Sequence, residues 1–354
     1  MRSARLGDTK AAMRHNDHLS YPEVSVITPL YNSSRYIEGT LDALCAQTFG
    51  GWESILVDDG STDDTAEKIK RYLRDGRFTY IKQENGGIAA ARNAGIRAAR
   101  GEWICLLDHD DRWMPAKLEK QLAFADANNC DIVCTDAVVV QEHSRKLYSQ
   151  FYSAEFIAKL KRINDDMSAD AFELLIQNNF LCASSVMLRK TLFDKVGLFD
   201  PDAAPADDYD MWLRCMPDAK IGYLKEPLIE YHIHAGNFSH NFTNMVEKII
   251  YVLRRSAEAH GNDGSRLKQL GDSLIPYYRL LLTELLEKRQ YGSALHHTAS
   301  LLARGRRGFR WFYWIADRDL LVTLCKSFAG KTDTRRSVFG EQNLDAAGRR
   351  NNVL

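Results

Sequence analysis

One pattern constrains this chain more than any other. Between Val24 and Leu107, short apolar runs alternate with stretches whose apolar residues recur at helical spacing. VSVIT (Val24 to Thr28), ESILVD (Glu53 to Asp58), FTYIK (Phe78 to Lys82) and WICLL (Trp103 to Leu107) read as four buried strands. Arg35 to Gln47, Thr62 to Leu73 and Gly87 to Ala99 read as the helices between them, with Ser61 as the N-cap of the second. Strands that are apolar on both sides, each followed by a helix, predict an α/β fold: a mostly parallel sheet with helices on both faces.

Beyond Leu107 the alternation loosens. Pro115 to Asn128 reads as a helix and DIVCT (Asp131 to Thr135) as a strand. Ala183 to Leu188, Ile221 to Leu224 and Ile229 to Ile233 read as further strands, with a helix over Asp208 to Cys215. Glu142 to Phe180 is polar and weakly periodic, and is expected to face substrate. From Met245 the pattern is helical, and Tyr277 to Ala303 suggests two antiparallel helices joined near Gln290 to Gly292. The expected organisation is a disordered extension over 1–20, a catalytic α/β domain over 21–240, and an all-α helical module with a basic, aromatic tail over 241–354.

Charge refines this division. The 354 residues hold 47 basic and 47 acidic side chains, and a neutral total argues against a uniformly basic nucleic-acid binder. The neutrality is a cancellation. Residues 301–354 carry 11 basic and 5 acidic groups, whereas 21–300 carry 32 basic against 40 acidic. The seven cysteines are odd in number, form no CxxC and sit mostly in apolar runs, so reduced, buried thiols are expected. No secretory leader and no membrane-spanning run is evident, so a cytoplasmic protein is expected. The tail RGRRGFRWFYWIADRDLLVTLCKSF (Arg304 to Phe328) leaves two readings open: contact with the inner, anionic face of a membrane, or a helix packed on the catalytic domain.

Ligands of open α/β sheets bind beyond the carboxyl ends of the strands, so the residues just after each strand carry the chemistry. Here they are PLYN (Pro29 to Asn32), DDGSTDD (Asp58 to Asp64), QENGG followed by IAAARNAG, and DHDD (Asp108 to Asp111). No GxGxxG follows the first strand and no GxxxxGK[ST] occurs, which sets aside the dinucleotide and P-loop readings. Asp108 and Asp110 stand two apart, so both can approach one ligand, and two carboxylates with diphosphate oxygens suit Mg²⁺ or Mn²⁺. Taken alone, DHDD is better explained as an acidic turn that caps the next helix.

The order and spacing of VSVITPLYN, VDDGSTDDT, NGGIAAARNAG, LLDHDDRWMP, PADDYDMWLR and IEYHIHAGNFS resemble the family 2 glycosyltransferases of the GT-A fold, over roughly Pro22 to Ser239. That resemblance implies transfer of a sugar from a nucleotide-diphosphate donor, with inversion, to a hydroxyl of a polysaccharide or lipid-linked glycan. It implies that Pro29, Tyr31, Asn32, Asp58, Asp59, Gly87, Arg92, Asn93, Asp108 and His109 line the nucleotide site. Tyr31 would stack on the base, and Asp59 would accept from its imide N–H, favouring uracil or thymine. Asp110, Asp108 and His234 would hold Mg²⁺ or Mn²⁺. Asp208 aligns with the catalytic base and Asp207 is the alternative; Asp207 stands where the family carries Glu. One base and a metal suit transfer, because a nucleoside diphosphate needs no acid to leave whereas a hydrolase needs a second carboxyl group. The rivals are a catalytically inactive sugar-nucleotide binding module and a nucleotidyltransferase, which would carry a Gly-rich, basic first loop where this chain has PLYN.

Overall fold

The computed structural model describes residues 21–141, 144–147, 154–164, 171–234, 241–260, 264–288, 290, 292–293 and 296–297. The expected disorder of 1–20 and the basic, aromatic tail lie outside the described residues. The described residues divide into two compact units, one within 1–174 and 180–234, the other within 175–179 and 235–354.

The first unit is built on β1 (Val24–Leu30), β2 (Trp52–Asp58), β3 (Phe78–Lys82), β4 (Trp103–Leu106), β5 (Arg112–Trp113), β6 (Ile132–Gln141), β7 (Ser144–Leu147), β8 (Met187–Arg189) and β9 (Ile221–Ile233). The strand order is β3-β2-β1-β4-β8-β6-β9-β5, with β7 paired to β6. The expected alternation holds for β3, β2, β1 and β4, which are mutually parallel. The sheet is mixed, with its long ladders parallel: β6 runs parallel to β9, while β8 runs antiparallel to both β4 and β6, and β5 runs antiparallel to β9. A three-residue strand such as β8 carries too few apolar residues to announce its direction.

Side chains of alternating residues cover opposite faces of the sheet. Val24, Val26, Leu30, Leu56, Trp103 and Cys105 belong to one core with α1 (Ile37–Cys45), α2 (Thr65–Ile69) and α4 (Lys117–Asn128), through Ile37, Leu41, Leu44, Ile69, Leu118 and Leu122. The intervening Ile27, Ile55, Val57, Ile104 and Leu106 are buried on the other face, where α3 (Ile88–Ala98) packs on β1 and β2. That approach is close: a Cβ at Gly95 would stand 2.4 Å from Ile27 Cγ2.

Two prolines sit inside strands, each where the ladder can spare an N–H. The Ile27 carbonyl faces β4 and accepts from Leu107, so Pro29 faces the same side, beyond the last β4 pair. In β9, Thr135 faces Leu224 but Asp136 faces Pro227, so Lys225 and Glu226 are skipped at a bulge. The two strands read from Ile221 to Leu224 and from Ile229 to Ile233 are therefore one strand of 13 residues.

Other expectations shift in detail. The helix expected over Thr62 to Leu73 is a short α2 followed by a single 3-10 turn, and Ser61 does not cap it. Ser61 Oγ instead accepts from Asn32 N at 3.0 Å. Ala183 to Ser185 is a 3-10 turn ahead of β8 rather than strand. Of the weakly periodic segment, β7, α5 (Ala154–Arg162) and α6 (Ala171–Gln177) are described. Cys105, Cys130, Cys134 and Cys215 are buried free thiols as expected, whereas Cys45 is exposed. The unit is completed by α7 (Thr191–Val196) and α8 (Asp207–Cys215).

The second unit holds α9 (Phe242–Ala259) and α10 (Gly264–Glu287), which pack on each other. Asn241 caps α9 by accepting from Asn244 N at 3.2 Å. Buried Val246, Ile249, Ile250 and Leu253 on α9, with Leu270, Leu274, Leu281 and Leu285 on α10, recur at three- and four-residue steps. The first helix of the pair expected within Tyr277 to Ala303 is the end of α10, and most of the second lies outside the described residues. No helix among the described residues is long and apolar enough to cross a membrane.

Candidate active site

The turn after β4 is fastened from several elements. Asp108 N donates to Ser184 Oγ at 3.1 Å, and Thr40 Oγ1 of α1 donates to the His109 carbonyl at 2.7 Å. Trp113 Nε1 donates to the Ser184 carbonyl at 3.0 Å, locking the 3-10 turn beneath the strand end. His232 N, near the end of β9, donates to Asp111 Oδ1 at 3.1 Å. These ties bring β9 against the turn, where His234 Nε2 lies 3.0 Å from Asp110 Oδ2. The His234 ring stacks on Tyr36, with centroids 4.2 Å apart and planes 18° apart.

Asp111 is a third carboxyl group that spacing alone did not single out. It is fully buried and its Oδ2 has no hydrogen-bond partner. Burial, with Asp110 and Asp108 adding to it, holds this carboxyl well above the ordinary carboxylate range.

Arg92 joins the β4 turn to the acidic block at the start of α8. Its side chain is only 3% exposed, NH1 donates to Asp207 Oδ2 at 2.8 Å and NH2 donates to Asp108 Oδ1 at 3.1 Å. A guanidinium presents a rigid fork, which suits a bridge between two carboxylates. Asp207 Oδ1 has no hydrogen-bond partner. Asp208 is half-buried, its Oδ1 accepts from Tyr209 N, and it receives no cation of its own. Burial pushes the Asp208 carboxyl up, Arg92 pulls against it and Asp207 adds to it, and the balance stands at about 7.

The loop ahead of α8 is gripped from both sides. Asn93 Nδ2 donates to the Phe199 carbonyl at 2.9 Å and Asn93 Oδ1 accepts from Phe199 N at 2.9 Å. Arg214 NH2 donates to the Leu198 carbonyl at 3.0 Å while its Nε donates to Asp210 Oδ2 at 2.8 Å. The resemblance implies a place for Asn93 beside the nucleotide; the structure adds that its amide clamps the backbone that carries the acidic block.

The residues after β1 and β2 form a second cluster. Asn32 adopts a left-handed backbone (φ 49°), and its Oδ1 accepts from Thr62 N at 2.9 Å. Tyr31 stands 51% exposed, a free face at the strand end. Asp58 is fully buried: Oδ1 accepts from Ser61 N at 2.7 Å and Oδ2 from Tyr80 Oη at 2.6 Å. Burial alone would raise its proton affinity, but these hydrogen bonds outweigh it and hold Asp58 below the usual range. Asp59 accepts from Gln83 Nε2 at 2.7 Å, Gly86 N at 2.9 Å and Gly87 N at 2.8 Å. Gly87, at φ 86°, takes a conformation that few other residues adopt, which aims its N–H at that carboxylate. The resemblance implies that Asp59 meets the base; the structure adds that it closes the 83–87 loop.

A mixed sheet with helices on both faces and acidic residues at its strand ends has the architecture of the GT-A fold, and known proteins resemble this chain. Residues 25–197 match the family described as Glycosyl transferase family 2. A glycosyltransferase of Rickettsia prowazekii, RP339, is 32% identical over 233 residues, covering 64% of this chain and 69% of that one. TuaG of Bacillus subtilis, a glycosyltransferase named for teichuronic acid biosynthesis, is 29% identical over 68% of this chain and 90% of its own. Among solved structures, S. aureus TarS 1-349 in complex with UDP has a TM-score of 0.58 at 20% identity, covering 88% of this chain and 92% of TarS 1-349. Mannosyltransferase PcManGT from Pyrobaculum calidifontis, in complex with GDP-Man and Mn²⁺, has a TM-score of 0.53 at 18% identity, covering 89% of this chain and 90% of that one. The chain belongs to glycosyltransferase family 2.

Proposed function

We propose that this glycosyltransferase moves a sugar from a UDP- or dTDP-sugar to a hydroxyl of a polysaccharide or lipid-linked glycan, with inversion, and that Asp208 is the base. The observation that carries this reading is the unequal fate of the acidic block: Asp207 is spent on Arg92, while Asp208, raised to about 7, can take a proton near neutral pH. A general base works best with a pKa near the working pH. The acceptor oxygen attacks the anomeric carbon as Asp208 takes its proton, and the nucleoside diphosphate departs from the opposite side. A single displacement of this kind inverts the anomeric centre.

Arg92 keeps Asp207 and Asp108 apart from that task and fixes the distance between the base and the diphosphate end. Tyr31, with Pro29 and Asn32, offers the base its platform; Asp58 shapes the turn beside it, and Asp59 with Gly87 forms the wall. His109 and Asp108 face the diphosphate. The TarS structures with UDP and UDP-GlcNAc support a uridine donor, and GDP-Man bound to PcManGT supports a nucleotide-sugar donor of some kind.

Among the described residues no group of three or more His, Cys, Asp or Glu is arranged to hold a metal by itself. Asp110 and His234 do converge, and Mg²⁺ is commonly held by one or two protein ligands plus substrate phosphates. They fit an ion shared with the donor, with Asp108 beside them, and Mg²⁺ or Mn²⁺ there would neutralise the departing diphosphate. Within the 142–180 segment, buried Phe156, Leu160 and Ile163 seat α5, and Asn164 clamps Tyr223 of β9; this segment, so fastened, would serve the acceptor. The name of TuaG supports an envelope polysaccharide as the acceptor. The basic, aromatic tail gives the chain a peripheral hold on the inner membrane face, in the cytoplasm; removing 305–354 is expected to abolish binding to anionic liposomes.

The deciding experiment compares the wild type with Asp208→Asn. Nucleotide-sugar binding is expected to persist and nucleotide release to stop. Binding without turnover in the wild type, across donors and acceptors, would make the chain a binding module instead.

A further inference from the structure

The Asp110–His234 pair is brought together from distant parts of the chain. Asp110 sits in the turn after β4, and His234 follows the last residue of β9. The imidazole stacks on the ring of Tyr36, nearly parallel, with centroids 4.2 Å apart. Tyr36 is the residue before α1, and Thr40 lies four residues on, so the two project from one face of the same helical turn. Thr40 Oγ1 grips the carbonyl of His109, the residue preceding Asp110. The start of α1 thus holds both partners, one through a ring face and the other through the backbone beside it. On the far side, Asp111 Oδ1 holds His232 N two residues before His234.

We propose that Tyr36 is a positioning residue: its ring sets the plane of the His234 imidazole so that Nε2 points at Asp110, with Thr40 and Asp111 fixing the two backbones that carry the pair. This inference rests on the reading that Asp110 and His234 hold a divalent ion. Offset stacking leaves an imidazole free to slide but not to tilt, so Nε2 stays in the plane that faces the carboxylate. A ligand whose ring is not held from behind binds its ion less well; loss of such outer contacts commonly costs about 10–100-fold in affinity. The contact is made by the aromatic face of Tyr36, not by its phenolic hydroxyl.

The test is Mn²⁺ binding to the full chain in the presence of UDP, followed by the electron paramagnetic resonance of free Mn²⁺. His234→Ala sets the scale. Tyr36→Ala is expected to weaken Mn²⁺ binding by about 10-fold or more while UDP binding without metal is unchanged, and Tyr36→Phe to stay within about twofold of the wild type. Tyr36→Leu, which keeps apolar bulk but lacks a ring to stack, should behave like Tyr36→Ala, and it answers the question should the smaller side chain unfold α1. Weakening by His234→Ala with normal binding in Tyr36→Leu would overturn the positioning role and leave the metal reading intact. Normal Mn²⁺ binding in His234→Ala would overturn the metal reading, and this inference with it.

Discussion

Asp58–Asp59 and Asp207–Asp208 are the same dipeptide in two places, one at the end of β2 and the other opening α8. Around the first pair the donors are neutral and numerous: Tyr80, Ser61, Gln83 and two glycine amides. Around the second, one guanidinium serves Asp207 and Asp208 is left with one backbone N–H. The outcomes are opposite. Burial pushes both carboxyl groups up, yet Asp58 is held below the ordinary range whereas Asp208 rises to about 7. The count and kind of donors decide whether burial is outweighed: at Asp58 it is, at Asp208 it is not. The first pair is fit to hold a loop, and the second to carry a proton.

The largest break in this contrast comes from Asp208→Asn, which should lower kcat by about 10²–10⁴-fold, the usual worth of a general base. The wild-type rate should climb with pH through about 7, and nucleotide release against pH checks it. Next comes Arg92→Gln. Removing one partner of a buried ion pair strands the other, at a cost of about 3–5 kcal/mol measured by denaturant unfolding. A smaller effect concerns stability. The folded Asp208 carboxyl binds its proton more tightly than an unfolded one, so the folded state loses stability as pH rises from about 4 to 7. Asp208→Asn removes that loss, so its melting temperature should exceed that of the wild type above pH 7, with the gap closing toward pH 4. Asp58 has the other sign: its contribution is present above the unfolded value and disappears as pH falls through the lower, folded one. The smallest effect is that of Tyr80→Phe, which removes one hydrogen bond to a charged group and should cost about 1.5–3 kcal/mol at neutral pH and less in acid. Equal pH dependence in Tyr80→Phe and Asp208→Asn would erase the contrast between the pairs.

Much of this site could be read from residues that end strands. Asp58, Asp59, Asp108 and Asp110 follow apolar runs directly, so their place at one edge of the sheet follows from the strands themselves. Asp207 and Asp208 were legible as a block, but not their division of labour, because the residue that divides them is Arg92, 115 positions away. The tie made by Asn93 next to it was illegible for the same reason: nothing local says that its amide meets Phe199. Tyr36 and Thr40 looked like ordinary helix residues, since their partners lie on other elements. In the fold, Lys225-Glu226-Pro227 read as a break, and the bulge that absorbs it depends on the register with β6. A signal confined to one element is legible; a tie between elements is not.

The depth at which α3 rests on the sheet is set by a single hydrogen atom. Gly95 meets Ile27 with no room for a methyl group, since its Cβ would fall 2.4 Å from a side-chain carbon. Arg92 lies one helical turn earlier on the same rod. A methyl at 95 would act as a shim, lifting the rod and drawing the guanidinium from Asp108 and Asp207 together. The spacing of the two acidic sites is thus gauged by a residue that touches neither.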